Sequence, residues 1–134
     1  MEVHVNYLAV LVAALANYLI AFIWYAAIFG KLWQKLTGIK DMKPAPMNIV
    51  LVLVGSFLLS YVLDHAIIFG NAYLKMSGIG GGLMCGFFNW LGFIAPVTLT
   101  TKIYENKPWG LWLLDNTFWL ISLLVMGSIL SVWV

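Results

Sequence analysis

Arginine is absent from this chain of 134 residues and cysteine occurs once, at Cys85. A single thiol cannot close an intramolecular disulfide or run a paired-thiol relay, so Cys85, set inside an apolar stretch, reads as a small packing residue. Charge is scarce as well. Charged residues make up 9% of the chain and hydrophobic residues 63%, whereas a soluble domain carries roughly a quarter and a half. No soluble core absorbs that much apolar surface. The net charge of +2 comes from seven lysines against five carboxylates spread over loops, a pattern that fits a membrane surface rather than nucleic acid. No catalytic, nucleotide-binding or metal-ligand motif of recognised spacing occurs, so the expected catalytic, metal and cofactor complement is none.

What the chain does have is four long uncharged runs: Val3 to Gly30, Pro44 to Leu63, Met76 to Thr101, and Pro108 to Val134, the last interrupted by Asp115. A helix needs roughly 20 apolar residues to cross a hydrocarbon core, and each run is about that long or longer. The expectation is an all-α polytopic membrane protein, one four-transmembrane-helix bundle over 1–134 with helices at about 6–30, 47–69, 78–102 and 109–132. The N-terminus lacks the basic region and small-residue cleavage site of a signal peptide, so the first helix is expected to be retained. Lys31, Lys35, Lys40 and Lys43 fall between the first two helices, Lys102 and Lys107 between the last two, and Lys75 alone between the middle pair. Under the positive-inside rule this places both termini on the extracytoplasmic side of the cytoplasmic (inner) membrane.

The first loop opens with Lys31-Leu32-Trp33-Gln34-Lys35-Leu36, in which Leu32, Trp33 and Leu36 share a face; a short interfacial helix after the first span is expected there. Pro44 and Pro46 end it, with Pro46 in the first turn of the second span. Tyr7, Trp109, Trp112 and Trp133 fit interfacial aromatic belts. Gly78, Gly82 and Gly86 form two overlapping small-xxx-small steps in the third span, beside a second groove of Gly81, Cys85 and Gly92. The expected partner of this glycine face is the first helix, through Ala9, Ala13 and Ala16, or the same helix in a second copy. The Gly80 to Gly82 run is a point where the helix start is open to fraying, and Pro96 is expected to kink the same helix.

Polar residues at membrane depth are the pointers to function, because hydrocarbon penalises them unless they find partners or line a cavity. Asn17 and Asn89 lie mid-span, and the simplest arrangement joins them by a hydrogen bond between the first and third helices. The functional alternative is a ligand cavity lined by Asn17, Trp24, Tyr25, Asn89, Trp90 and Trp119. On the second helix Ser56, Ser60 and Asp64 recur every four residues, with Tyr61 and His65 on the adjacent face. With Glu2 and His4 at the same level, Asp64 and His65 form a polar rim open to a proton-linked role. Asp115 and Asn116 sit near the start of the fourth helix, where they suit its N-terminal dipole and where Lys31 or Lys102 is placed to neutralise the carboxylate.

Asn6, the run Ile23-Trp24-Tyr25-Ala26-Ala27-Ile28-Phe29-Gly30-Lys31-Leu32-Trp33, Leu91 to Pro96, Tyr104 to Trp109 and Met126 to Leu130 together resemble the small membrane-protein family catalogued as domain of unknown function 1761. Asn106 stands where that pattern has a glycine, and Asp115 where it has an uncharged residue. The resemblance implies a four-helix integral membrane protein and supplies no activity, substrate or catalytic residue. The residues themselves leave three readings. The first is a non-enzymatic small-ligand binding or transport module acting as a homodimer. The second is a structural or accessory subunit, partnered by another membrane protein and packing through the glycine face. The third is an intramembrane enzyme using Asp64 and His65 or Asp115. Membrane lipid is a partner in every case, and nucleic acid in none.

Overall fold

A computed structural model describes residues 4–40 and 45–133. Glu2, Val3, Lys43, Pro44 and Val134, named above, lie outside the described residues. Among those described, the chain forms five helices: α1 (Tyr7–Ile28), α2 (Gly30–Thr37), α3 (Pro46–Leu74), α4 (Gly78–Tyr104) and α5 (Trp109–Val132). All but α2 are long and apolar enough to cross a membrane, so the protein is an all-α membrane bundle with a short helix after its first span.

Local chemistry accounts for most of the boundaries. Asn6 caps α1, its Oδ1 accepting from the Ala9 backbone N–H at 3.2 Å. Its Nδ2 donates to the Trp133 carbonyl at 3.3 Å, which ties the start of α1 to the end of α5. Pro46 occupies the first turn of α3, where its missing N–H costs no hydrogen bond. The helix then runs to Leu74 rather than stopping near residue 69, because Gly70 and Asn71 are carried inside it and the chain turns only at Lys75, whose φ is 55°. At roughly 1.5 Å per residue α3 is longer than a hydrocarbon core of about 30 Å, so it must tilt or project. Asn106 has φ 52°, a left-handed conformation that glycine adopts freely and asparagine tolerates. Asparagine thus meets the backbone requirement for which the resemblance led to an expectation of glycine.

Two spans are interrupted by π-helical turns, at Ile23–Ile28 in α1 and Trp90–Ile94 in α4. The second lies just ahead of Pro96, which cannot donate to the ladder; the wider turn absorbs the fault, and Pro96 falls in the first turn of the following α-helical stretch, Ala95–Tyr104. The Gly80 to Gly82 run is helical, within the stretch Gly78–Asn89.

Helix α5 is the most buried span and touches α1, α3 and α4. The core joins Val10 and Ala13 of α1, Leu63 and Ile67 of α3, and Leu123, Met126 and Leu130 of α5. The glycine face of α4 meets α5, which corrects the expectation that its partner is α1 or a second copy. A Cβ on Gly82 would overlap the Gly127 carbonyl, one on Gly86 would meet the Leu123 backbone, and the Ser131 hydroxyl donates to the Gly78 carbonyl. Lipid tails are as apolar as the side chains, so close backbone approach of this kind, rather than hydrophobic burial, holds two spans together. The alanines of α1 are spent elsewhere: Ala9, Ala13 and Ala14 are buried where α1 packs on α3 and α5.

Helix α2 ends at Gly38, φ 77°, and leaves Lys31 and Lys35 exposed while Trp33 and Leu36 are half-buried. Leu36 lies against Gly110 at the start of α5, which docks the short helix onto the bundle. Lys102 stands 4.0 Å over the Trp109 ring, a cation–π contact at the same end of the molecule.

Candidate functional site

The polar residues of the spans gather into two groups along α5 and a row on α3 that shares Ser56 with the first. The innermost is built on Asn17. Its Nδ2 donates to Ser56 Oγ at 2.8 Å, and its Oδ1 accepts from Ser122 Oγ at 2.5 Å. Exposures of 4%, 4% and 0% for Asn17, Ser56 and Ser122 leave no access for water or ligand. One amide thus joins α1, α3 and α5. The hydrogen bond expected between Asn17 and Asn89 does not form, because α5 lies between the two and Asn89 turns its Nδ2 back to the Cys85 carbonyl of its own helix at 2.8 Å.

Two turns away along α5, both π-helical segments converge on one point. From the first, the Tyr25 hydroxyl donates to Asp115 Oδ1 at 2.6 Å. From the second, the Trp90 indole donates to the Asn116 carbonyl at 3.0 Å. The Asn116 side chain holds Thr98 at 2.9 Å and caps the Trp112 carbonyl of its own helix. π-Helical turns re-aim side chains by inserting a residue, which is why they recur at functional sites. Here they bring a phenol and an indole onto consecutive residues of α5. Asp115 therefore finds its partner in a tyrosine, while Lys102 is engaged with Trp109. Phe118 closes this group toward the Asn17 centre, its ring 5.3 Å from Tyr25 and 4.8 Å from Trp119. The buried indole N–H groups of Trp24 and Trp112 have no hydrogen-bond partner among the described residues.

Removing the Tyr25 hydroxyl tests this seam. Tyr25→Phe is expected to lower stability in detergent by about 1 kcal/mol, the scale of a hydrogen bond between spans. In a double-mutant cycle with Asp115→Asn the two effects should be less than additive. Strict additivity in thermal unfolding would show that the two side chains do not interact.

A third group sits on α3, where Ser56, Ser60 and Asp64 form one buried row. Ser60 Oγ donates to the Val10 carbonyl at 2.8 Å. His65 is not part of that row: its Nδ1 donates to the Tyr61 carbonyl at 2.9 Å and its ring lies between Tyr61 and Phe69. No group of three or more His, Cys, Asp or Glu residues able to hold a metal occurs among the described residues.

The seam between α3 and α4 carries two apolar crevices, with volumes of about 190 and 280 Å³. Asn89 lines both. The six residues expected around one cavity are thus distributed. Asn17 lies in the buried centre, Tyr25 and Trp90 in the Asp115–Asn116 seam with Trp24 and Trp119 near them, and Asn89 in the crevices. Spacing alone does not pair Ser122 with Asn17, Thr98 with Asn116 or Gly127 with Gly82, although Gly127 and Ser131, small residues four apart on α5, repeat the signal read on α4.

No curated protein and no solved structure matches the chain. A family model does, over residues 8–131, and its description is Protein of unknown function (DUF1761). Since that match covers both π-helical segments, the buried centre and all four spans, the chain belongs to this family.

Proposed function

We propose that the protein is a non-enzymatic small-ligand binding or transport module that acts as a homodimer and takes its ligand laterally from the bilayer between α3 and α4. The observation that carries this reading is Asn89. It is shared by both crevices, whose walls are otherwise formed largely by apolar residues such as Leu59, Leu63, Phe93 and Ile94. Its Nδ2 is held by the Cys85 carbonyl and approaches Cys85 Sγ at 3.4 Å, which orients the amide, while its Oδ1 accepts no hydrogen bond from the described residues. One fixed acceptor in an apolar cleft favours an apolar molecule carrying a single hydroxyl or amide donor. α3 and α4 are the least buried spans, so a second copy placed against them would complete the cleft. The lysine distribution orients the bundle with the α2 loop and the α4–α5 loop at the cytoplasmic face of the inner membrane and both termini outside.

Native mass spectrometry from nanodiscs tests this directly. The expected species is a dimer retaining a discrete mass that is not bulk lipid, and Asn89→Leu should reduce its occupancy about tenfold, the effect of roughly 1.4 kcal/mol in binding. A bare species would remove the ligand. The exposure of α3 and α4 also favours a second reading, an accessory subunit, and isolation only together with a different membrane protein would select it.

A further inference from the structure

The row on α3 ends at a carboxylate that the bundle does not satisfy. Asp64 is 6% exposed, and its Oδ2 is buried with no hydrogen-bond partner among the described residues. The two residues below it in the row are accounted for, Ser56 by the Asn17 amide and Ser60 by the Val10 carbonyl. A carboxylate oxygen withdrawn from water without a donor is costly, and in a membrane span the cost is met by a proton or a cation. The row supplies one negative charge, at Asp64. With no metal-capable cluster among the described residues, this matches a single positive charge rather than a divalent ion.

Tyr61, one turn below Asp64, stacks on Tyr7, the first residue of α1, so Asp64 stands level with the beginning of that helix, while α3 itself continues to Leu74. Of the titratable groups on the elements packed here, His65 and Tyr61 neighbour it on α3, Tyr7 of α1 stacks on Tyr61, and Cys85 of α4 packs on the same core as Leu63 and Ile67, while His4 precedes α1 and the Leu123–Val132 part of α5 adds none. His65 makes its hydrogen bond to its own helix.

We propose that Asp64 is the binding site for an exchangeable monovalent cation, a proton or an alkali-metal ion, at the end of the Ser56–Ser60–Asp64 row. The site is independent of the crevice at Asn89.

The test uses the full chain in nanodiscs and dicyclohexylcarbodiimide, which modifies protonated carboxyl groups in apolar surroundings, with the adduct located by peptide mass spectrometry. Asp64 should be labelled. If the bound ion is a proton, the labelling rate should fall about tenfold per pH unit above its midpoint, the decline of the protonated fraction, and should ignore sodium and lithium. If it is an alkali-metal ion, sodium or lithium at constant pH should protect the residue. Asp64→Asn, close in shape, should show no adduct at this position. Labelling of Asp115 in place of Asp64, no adduct at Asp64, or an Asp64 adduct insensitive to both pH and alkali ions would overturn the proposal.

Discussion

Gly82→Leu should detach α4 from α5 and leave a protein that inserts in the membrane, keeps its helix content and loses its tertiary fold. At Gly82 a Cβ would lie 2.7 Å from the Gly127 carbonyl carbon and 2.7 Å from Ser131 Cβ. Two of the obstacles are thus backbone or backbone-anchored atoms, which cannot swing aside as the end of a flexible side chain would. Overpacking a well-fitted interior costs about 1–3 kcal/mol, and a clash against backbone belongs at or above the top of that range. Gly127→Leu should behave alike, because a Cβ there would meet the Gly82 carbonyl. Gly92 and Gly80 supply the control: nothing lies within 4 Å of a Cβ at either, so alanine should leave stability unchanged within about 0.5 kcal/mol or raise it slightly through helix propensity. Unfolding in mixed micelles, followed by tryptophan fluorescence and circular dichroism, separates the two classes. A Gly82→Leu protein with the wild-type transition would mean that α4 and α5 do not meet at these residues.

The second large effect is expected at Asn17. Asn17→Leu keeps the side-chain volume roughly constant but removes the two hydrogen bonds that join α1 to α3 and α5. Hydrogen bonds between spans average about 0.6 kcal/mol and reach about 1.7, and two buried hydroxyls lose their amide partner at once, so a loss of about 2 kcal/mol is expected. Asn89→Leu is the informative comparison, since it deletes the same amide from a half-buried position that lines the crevices. The Asn89 amide bonds only within its own helix, so its removal should cost less than about 0.5 kcal/mol of bundle stability. Equal losses for the two variants would contradict the distinction between a structural amide and one facing a cleft. Ser56→Ala combined with Asn17→Leu should cost less than the sum of the two, because the serine has already lost its donor.

These two asparagines show how far the sequence can be read. Both were recognisable as mid-span amides requiring partners, and the pairing of one with the other was the simplest solution. The partners of Asn17 are instead Ser56 and Ser122; the spacing of Ser56, Ser60 and Asp64 marks a polar row on α3, but nothing local says that Asn17 meets it. The glycine face has the same history. Gly78, Gly82 and Gly86 announce a close helix contact, yet α1 offers Ala9, Ala13 and Ala16 and α5 offers Gly127 and Ser131, and nothing local ranks them. The π-helical turns were legible in part: Pro96 marks the fault in α4, while the one in α1 has no proline to announce it. The convergence of the two on Asp115 and Asn116 could not be read, since it depends on which helices flank α5.

The sequence by itself determined the four spans, the short helix after the first, and the polar groups carried on each. Length, hydropathy and charge act on one segment at a time, and the bilayer demands only that a helix be long and apolar enough. The tertiary structure alone decided which small face meets which, which amide is satisfied inside the bundle and which faces a cleft, and that Asp64 keeps an oxygen without a partner among the described residues. In a solvent as apolar as the side chains, these choices rest on backbone fit and on hydrogen-bond partners from different helices, which only the assembled bundle specifies.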